Sequence, residues 1–266
     1  MWVATSDARI HAEVHGDATG TPLILIHGLG GRIRSWGSVP AALGRARLVA
    51  CVDLRGCGKS EKGTEPISIP RLADDVGAVI ESLGAGPCDL IGHSLGGVIT
   101  QDLLVRHGAH CRAAVLLSTS SKVGPQAAEG WRRLADSVER RGSVSEGGSA
   151  RAFSESFASG HPDLVEEQGR ISALSDPAVY AAQARAASSY DYSDALSRVT
   201  NPVLVIQGLA DRMTSPGGSV LLSRALSQSE LLMVEGVGHN AHLEMGDRFV
   251  ATVLAFFDRV NGSPRR

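Results

Sequence analysis

The chain has 266 residues, of which 43% are hydrophobic and 20% are charged, and its formal net charge is −2. This length and hydrophobic content suit one large α/β domain or two small ones. The lysines and arginines are scattered and create no positive surface that could neutralise phosphates, so we expect no nucleic-acid partner. Every apolar run is far shorter than the roughly 20 residues of a membrane helix, so we expect no membrane partner either.

The N-terminal segment shows no apolar run of the signal-peptide type. The four cysteines have no C-x-x-C spacing, and three lie in or beside predicted strands, where a thiol behaves as a small hydrophobic group. These features predict a reducing, cytoplasmic setting. We expect no metal or other cofactor, because the chain has no H-E-x-x-H motif and no cluster of cysteine and histidine ligands.

The first part of the chain, up to residue 121, alternates predicted strands with predicted helices. Apolar runs predict strands over residues 3–5, 10–15, 23–26, 48–52, 88–91 and 113–117. The spacing of apolar side chains predicts a helix from Ser35, one over residues 69–83 and one directly after Ser94. Glycine-rich loops separate these elements.

From Lys122 to Ser193 the pattern changes from strands to helices. It predicts helices over residues 127–141, 150–159, 162–174 and 177–187, with a flexible break at residues 142–149. Strands resume at residues 203–206 and 231–234, and a last helix covers residues 247–260. We therefore predict a mostly parallel, doubly wound α/β core, residues 1–121 and 194–266, interrupted by a helical cap segment, residues 122–193.

A G-x-S-x-G pentapeptide, residues 92–96, lies between a predicted strand and a predicted helix. The chain has 31 glycines, so the pattern can arise by chance and its context decides its meaning. A strand, a tight turn and a helix would expose Ser94 on a nucleophile elbow, at the positive end of the helix. The alternative is a glycine-bounded helix start in which Ser94 only caps the helix.

A serine nucleophile needs a base, a group that orients the base, and donors for the oxyanion. Asp211 and His239 each follow a predicted strand, and the carboxyl ends of parallel strands meet at one edge of a sheet. Ser94, Asp211 and His239 therefore predict a catalytic triad in the order nucleophile, acid, base. We expect the backbone N–H groups of Leu29 and Leu95 to form the oxyanion hole.

Two other histidines near these motifs suit structural roles. His93 neighbours Ser94, but adjacent residues in an elbow point apart. His27 lies in the glycine-rich loop after residue 26 and suits a structural hydrogen bond.

Taken together, these motifs resemble the α/β-hydrolase superfamily over nearly the whole chain. The matching segments are His27-Gly28-Leu29-Gly30, Asp53-Leu54-Arg55-Gly56-x-Gly58-x-Ser60, Gly92-His93-Ser94-Leu95-Gly96-Gly97, Gly208-x-x-Asp211 and Gly238-His239. A narrower resemblance, to the 3-oxoadipate enol-lactonases, rests on residues 116–124, Trp131, residues 180–191 and Asp211-x-x-Thr214-x-Pro216.

The resemblance implies a serine hydrolase that cleaves a small carboxylic ester or lactone, including an enol-lactone, through an acyl-enzyme and without a cofactor. Ser94 would attack the carbonyl, His239 would take the serine proton, and Asp211 would hold the imidazole tautomer. Within the same fold, a C–C bond hydrolase of vinylogous diketones and a cofactor-free perhydrolase stay open. A non-catalytic small-ligand receptor with the hydrolase fold is the alternative from another class.

We expect a small-molecule substrate to bind between the sheet edge and the cap segment. Trp131 and Tyr190 are candidates for an apolar wall, and Arg132 and Arg133 are candidates for pairing with a substrate carboxylate. A homodimer and a monomer both stay open.

Overall fold

The structure is a computed structural model that describes residues 1–17 and 20–262. Its centre is an eight-stranded sheet in the order β1-β2-β4-β3-β5-β6-β7-β8. The strands are Trp2–Ala4 (β1), Arg9–His15 (β2), Leu23–Ile26 (β3), Val49–Val52 (β4), Cys88–His93 (β5), Cys111–Leu117 (β6), Val203–Gly208 (β7) and Ser229–Val234 (β8). Strand β2 pairs antiparallel with β1 and β4, and all other neighbouring strands pair in parallel. The predicted fold class, a mostly parallel α/β sheet, is therefore confirmed.

Helices cover both faces of the sheet, which explains why its central strands are continuously apolar. In β3, Ile24 and Ile26 face one hydrophobic layer, whereas Leu23 and Leu25 face the other. The first layer contains the apolar side chains of two long helices that follow β4 and β5, and the second contains those of the C-terminal helix. All four side chains of β3 are fully buried, as doubly covered strands require.

Ten α-helices lie in the described part of the chain. They are Val39–Gly44 (α1), Ile69–Ser82 (α2), Leu95–His107 (α3), Pro125–Arg141 (α4), Glu155–Gly160 (α5), Pro162–Ala173 (α6), Pro177–Ala186 (α7), Pro216–Ala225 (α8), Ala241–Glu244 (α9) and Asp247–Gly262 (α10). Short 3-10 helices occur at Ile33–Trp36, Gly108–His110, Glu146–Ala152 and Ala195–Arg198.

Two predicted helices differ from the observed elements. The helix predicted from Ser35 is instead the 3-10 turn Ile33–Trp36. The single helix predicted over residues 150–159 is broken, because Phe153 is extended and fully buried, and the Ser154 side chain caps a new helix. The pattern also did not predict α1 and α8, which are short and begin at or beside a proline.

The cap segment leaves and re-enters the sheet region at one place. A short antiparallel bridge pairs Lys122 with Asp191, and backbone hydrogen bonds of 3.2 and 2.8 Å flank it, from Val123 to Tyr190 and from Tyr192 to Ser121. Residues 122–193, all described, form helices α4 to α7 and one 3-10 helix between these anchors. Within the described residues, no helix has both the length and the apolar character needed to cross a membrane.

Candidate active site

Ser94 stands at the junction of β5 and α3, in a strained backbone conformation. Its φ of 54° and ψ of −114° lie outside the regions that serine normally adopts. Among the described residues, Ser118 is the one other non-glycine residue with a positive φ. Such a conformation costs about 1–3 kcal/mol and persists only where the surrounding structure holds it. Here the Ser94 N–H donates a 2.9 Å hydrogen bond to the Leu117 carbonyl at the end of β6.

The two glycines of the pentapeptide are required because strand, turn and helix approach closely. A Cβ at Gly92 would overlap the Thr100 hydroxyl and the Gly96 carbonyl. A Cβ at Gly96 would overlap the carbonyl oxygen of Ile26 on the neighbouring strand. The glycines are therefore required by close steric contacts of a strained strand-turn-helix junction, whereas an ordinary helix cap would not require them.

His239 and Asp211 form a buried pair at the same edge of the sheet. Asp211 follows β7, His239 follows β8, and the His239 Nδ1 lies 2.9 Å from the Asp211 Oδ2. With the Nδ1 proton donated to the carboxylate, the His239 Nε2 is left as an acceptor. Side chains of both residues are almost completely buried, 5% and 0% exposed, so the pair is shielded from competing water.

The environment of Asp211 keeps it ionised. Burial would raise the pKa of this carboxyl, but His239 and the backbone N–H groups of Thr214 and Met213 together lower it below its usual range. The two N–H groups donate to Oδ1 at 2.9 and 2.8 Å, and the Gln207 amide donates to Oδ2 at 3.0 Å. An ionised, fully hydrogen-bonded carboxylate can hold the histidine and stabilise its protonated form.

The two residues predicted to form the oxyanion hole lie near Ser94, because Leu29 lines the same cavity and Leu95 follows Ser94 in the chain. Leu29 lies in the loop after β3 and Leu95 is the first residue of α3. In the described part of the chain, neither amide donates a hydrogen bond to a protein acceptor. The start of the 13-residue helix α3 adds a partial positive charge at the same point.

His27 shapes the loop that carries Leu29. The Leu54 N–H donates to His27 Nε2 at 3.0 Å, so the Nδ1 carries the proton and donates to the Gly28 carbonyl at 2.8 Å. Burial lowers the pKa of His27, which keeps the ring neutral in this role. The loop therefore rests on a buried histidine, in the structural role that the sequence suggests.

Two further histidines pack near His239, and the sequence pattern does not predict this arrangement. His93 and His239 have ring centroids 4.9 Å apart, and the His93 Nε2 lies 3.1 Å from the His239 carbonyl oxygen. The ring of His242 lies 4.8 Å from that of His93, and its Nε2 lies 3.2 Å from the Ser35 carbonyl. Burial lowers the pKa of His93 well below its ordinary value and lowers that of His242 to about 4. Both rings are therefore neutral near pH 7 and add no positive charge to the surroundings of His239.

A cavity of about 620 Å³ lies between this sheet edge and the cap segment. Ser94 and His239 both line it, together with Leu29 and the cap residue Trp131. A volume of this size suits a small organic molecule.

Three of the four cap residues predicted to contact substrate lie outside this cavity. Helix α4 presents Ala127, Trp131, Leu134, Val138 and Arg141 to the cavity, at helical spacing. Arg132 and Arg133 fall on the other face of α4, are largely exposed, and lie 3.4 Å from Glu129. The Tyr190 hydroxyl is hydrogen-bonded to Ser120 Oγ at 2.9 Å and does not line the cavity. Of the four, Trp131 alone is a cavity residue.

Comparison with known proteins agrees with this architecture. The family model described as alpha/beta hydrolase fold matches residues 21–245, so the chain belongs to this family of hydrolases. It is 26% identical over 261 residues to 3-oxoadipate enol-lactonase 2 of Acinetobacter baylyi, covering 97% of each chain. It is 27% identical to the putative carbamate hydrolase RutD of Agrobacterium fabrum, over 93% of this chain and 97% of that one.

Solved structures show the same fold. A thermophilic esterase from Thermogutta terrifontis, determined with malate bound, superposes with a TM-score of 0.88 at 25% identity. The superposition covers 98% of each chain. The predicted resemblance to esterases and 3-oxoadipate enol-lactonases is therefore confirmed.

Proposed function

We propose that this hydrolase cleaves a small carboxylic ester or lactone through an acyl-enzyme formed on Ser94. The observation that carries the proposal is the buried His239–Asp211 pair, 2.9 Å apart, whose histidine lines the same cavity as the strained Ser94. A serine, a histidine with a free Nε2 and an oriented carboxylate are the three groups that acyl transfer needs.

In the proposed reaction, the Ser94 Oγ attacks the substrate carbonyl while the His239 Nε2 takes the serine proton. The amides of Leu29 and Leu95 donate to the developing oxyanion. Collapse of the tetrahedral intermediate breaks the C–O bond, and protonated His239 returns its proton to the leaving oxygen. Water, deprotonated by His239, then attacks the acyl-enzyme and releases the acid.

The relatives support an ester or lactone as the substrate. Those most similar in sequence include an enol-lactonase, and a similar structure is that of an esterase. With an enol leaving group, tautomerisation to the ketone would draw the reaction forward. A carbamate is a second candidate, since another relative carries the name of a putative carbamate hydrolase and the same acyl transfer would cleave it.

The test is labelling with a fluorophosphonate and turnover of 4-nitrophenyl acetate. We expect one labelled residue, Ser94, and hydrolysis by the unmodified protein. Ser94→Ala should lose labelling and lower kcat by about 10⁴-fold or more, because the covalent route is removed. A thermal melt should show that the variant folds.

The matched control is Ser159→Ala, an exposed serine on α5 that should leave labelling and kcat unchanged. Near-full activity in Ser94→Ala would refute the nucleophile assignment. Absence of both labelling and turnover in the unmodified protein would favour a non-catalytic ligand-binding protein with the same fold.

A further inference from the structure

A glutamine interrupts the apolar row on one face of strand β7. Val203 and Val205 alternate along β7 and belong to the hydrophobic layer on that face of the sheet. Gln207 is the next residue on the same face, because the side chains of a strand alternate between faces, and it is fully buried. A buried amide is costly unless its polar atoms are hydrogen-bonded, so its partners indicate the role of this residue.

The two ends of the Gln207 amide face different kinds of partner. The Nε2 atom lies 3.0 Å from Asp211 Oδ2, 2.9 Å from the Gly208 carbonyl oxygen and 3.4 Å from that of Thr214. All three oxygens are acceptors, so this end carries the NH2 group. The Oε1 atom lies 2.7 Å from the Oγ of Ser219, a fully buried residue of α8. The surroundings therefore fix the orientation of the amide.

The carboxylate of Asp211 is held differently at its two oxygens. Oδ1 accepts from the backbone N–H groups of Met213 and Thr214, which belong to the same loop as the aspartate. In the described chain, Oδ2 accepts from Gln207 and lies within hydrogen-bond distance of His239. The loop thus fixes one oxygen by itself, whereas the rotation of the carboxylate that directs Oδ2 at the histidine depends on Gln207.

Ser219 is anchored by the strained turn that follows β6. In this turn Ser118 has a φ of 51°, and its buried Oγ has no partner in the described chain, so its hydroxyl does not explain the conformation. The Ser118 carbonyl accepts from the Thr214 hydroxyl at 3.2 Å. The Thr119 carbonyl oxygen lies 2.8 Å from the Ser219 Oγ, so Ser219 is held between this turn and Gln207. The turn therefore supports the loop of the aspartate through its carbonyl groups.

We propose that Gln207 is a positioning residue of the proposed triad, which fixes the Asp211 carboxylate so that Oδ2 accepts the Nδ1 proton of His239. Ser219 holds the Gln207 amide in the orientation that this contact requires. The inference rests on the proposed function, because it takes Asp211 and His239 as the groups that assist Ser94. Gln207 is not among the described residues that line the cavity, so it acts through Asp211 and not on the substrate.

The test replaces the amide by an apolar side chain of similar shape. Gln207→Met removes the donor to Asp211, whereas the Ser219 hydroxyl keeps the Thr119 carbonyl as an acceptor, so the variant should fold. We expect kcat on 4-nitrophenyl acetate to fall about 30-fold with KM within twofold, because a hydrogen bond to a charged group is lost. Ser219→Ala should lower kcat about tenfold, because the Gln207 amide loses the partner that orients it.

The variant with both substitutions should have the same kcat as Gln207→Met, because Ser219 acts through the amide. Gln183→Met is the matched control. Gln183 is a fully buried glutamine of α7 whose amide contacts Cys57, and it is not among the described cavity residues. The control should lower thermal stability and leave kcat within twofold.

A proton NMR signal reports the same contact without turnover. The Nδ1 proton between His239 and Asp211 should resonate well downfield of the backbone amide protons, and its signal should be absent from Asp211→Asn. Gln207→Met should shift or broaden this signal, because the carboxylate is no longer held. Gln183→Met should leave it in place.

A kcat within twofold of that of the unmodified protein in folded Gln207→Met, or an unchanged His239 signal, would overturn the positioning role. If Gln207→Met does not fold, an unchanged kcat in Ser219→Ala would overturn it instead. Losses that multiply in the double variant would overturn the part assigned to Ser219. These results leave the proposed function intact, whereas absence of turnover and of Ser94 labelling in the unmodified protein would refute that function and this inference with it.

Discussion

The sheet edge that carries Ser94 and His239 holds its polar side chains in a different way from the cap segment. At the sheet edge, Asp211, His239 and His93 are buried and each is hydrogen-bonded to another part of the chain. In the cap segment, Arg141 and Arg151 are exposed and have no carboxylate partner among the described residues. The first region can therefore hold atoms in a fixed geometry, whereas the side chains of the second are not held by ion pairs.

This difference predicts how large the effects of substitutions should be. A change of a few atoms at the sheet edge should cost orders of magnitude in kcat, because the geometry of the step is lost. The loss of a whole charge from an exposed arginine of the cap segment should cost far less, because an exposed ion pair is worth about 1 kcal/mol or less.

The largest effect in this comparison, apart from removal of Ser94, should come from Asp211→Asn. Asparagine has nearly the shape of aspartate, but its side-chain NH2 group can replace the carboxylate oxygen that accepts from His239 Nδ1. The histidine then loses the acceptor that sets its tautomer. We expect kcat to fall about 10³–10⁴-fold with KM nearly unchanged, measured on 4-nitrophenyl acetate. A loss below tenfold would show that another carboxylate orients the base.

The response of stability to acid should be the next largest effect. In the folded protein, burial holds the pKa values of His93 and His242 below the ordinary value of about 6.5. Between the lowered pKa values and about pH 6.5, the unfolded chain therefore binds more protons than the folded chain. Stability should therefore be complete above about pH 7.5 and fall as the pH drops through 6.5. The two groups together should cost about 3 kcal/mol in the free energy of unfolding at pH 5.5.

Urea unfolding at several pH values measures this loss. His242→Gln should remove about half of it, because one of the two neutral rings is gone. An unchanged pH dependence in that variant would contradict the assignment of a neutral buried His242. The exposed arginines of the cap segment should contribute nothing to this slope, since guanidinium groups stay charged throughout.

The smallest effect at the sheet edge should come from His93→Phe. Phenylalanine keeps a ring beside His239 and removes only the hydrogen bond from the His93 Nε2 to the His239 carbonyl. We expect kcat to fall about fivefold with KM unchanged, because a positioning contact worth about 1 kcal/mol is lost.

His93→Gln should recover part of that activity, because its side-chain amide still offers a donor. A matching fall in thermal stability with no change in kcat would show that the contact supports the fold alone.

Predictions from the sequence succeeded where the pattern is local to one strand or loop. Continuous apolar runs predicted the doubly covered strands, and the loops after β7 and β8 placed Asp211 and His239 at a common sheet edge. That step needed no knowledge of side-chain packing, because parallel strands deliver their carboxyl ends to the same side.

Predictions failed where the orientation of a helix decides the result. Arg132 and Arg133 are one and two positions beyond Trp131, yet they lie on the opposite face of α4 from the cavity. Periodicity shows that a helix has two faces, but not which residues of an amphipathic, arginine-rich helix point towards a ligand. The break at Phe153 was missed for a similar reason, since burial of that ring depends on distant residues.

The sequence by itself determined the α/β class, the strained serine turn and the chain order of Ser94, Asp211 and His239, because these follow from local spacing and from glycines that steric contact requires. Only the tertiary structure decided that His93 and His242 pack as neutral rings near His239, and that Arg141 rather than Arg132 lines the cavity. The physical reason is that the burial and orientation of a side chain depend on which segments pack against it. Hydrophobic periodicity indicates only which side chains of one segment are able to be buried.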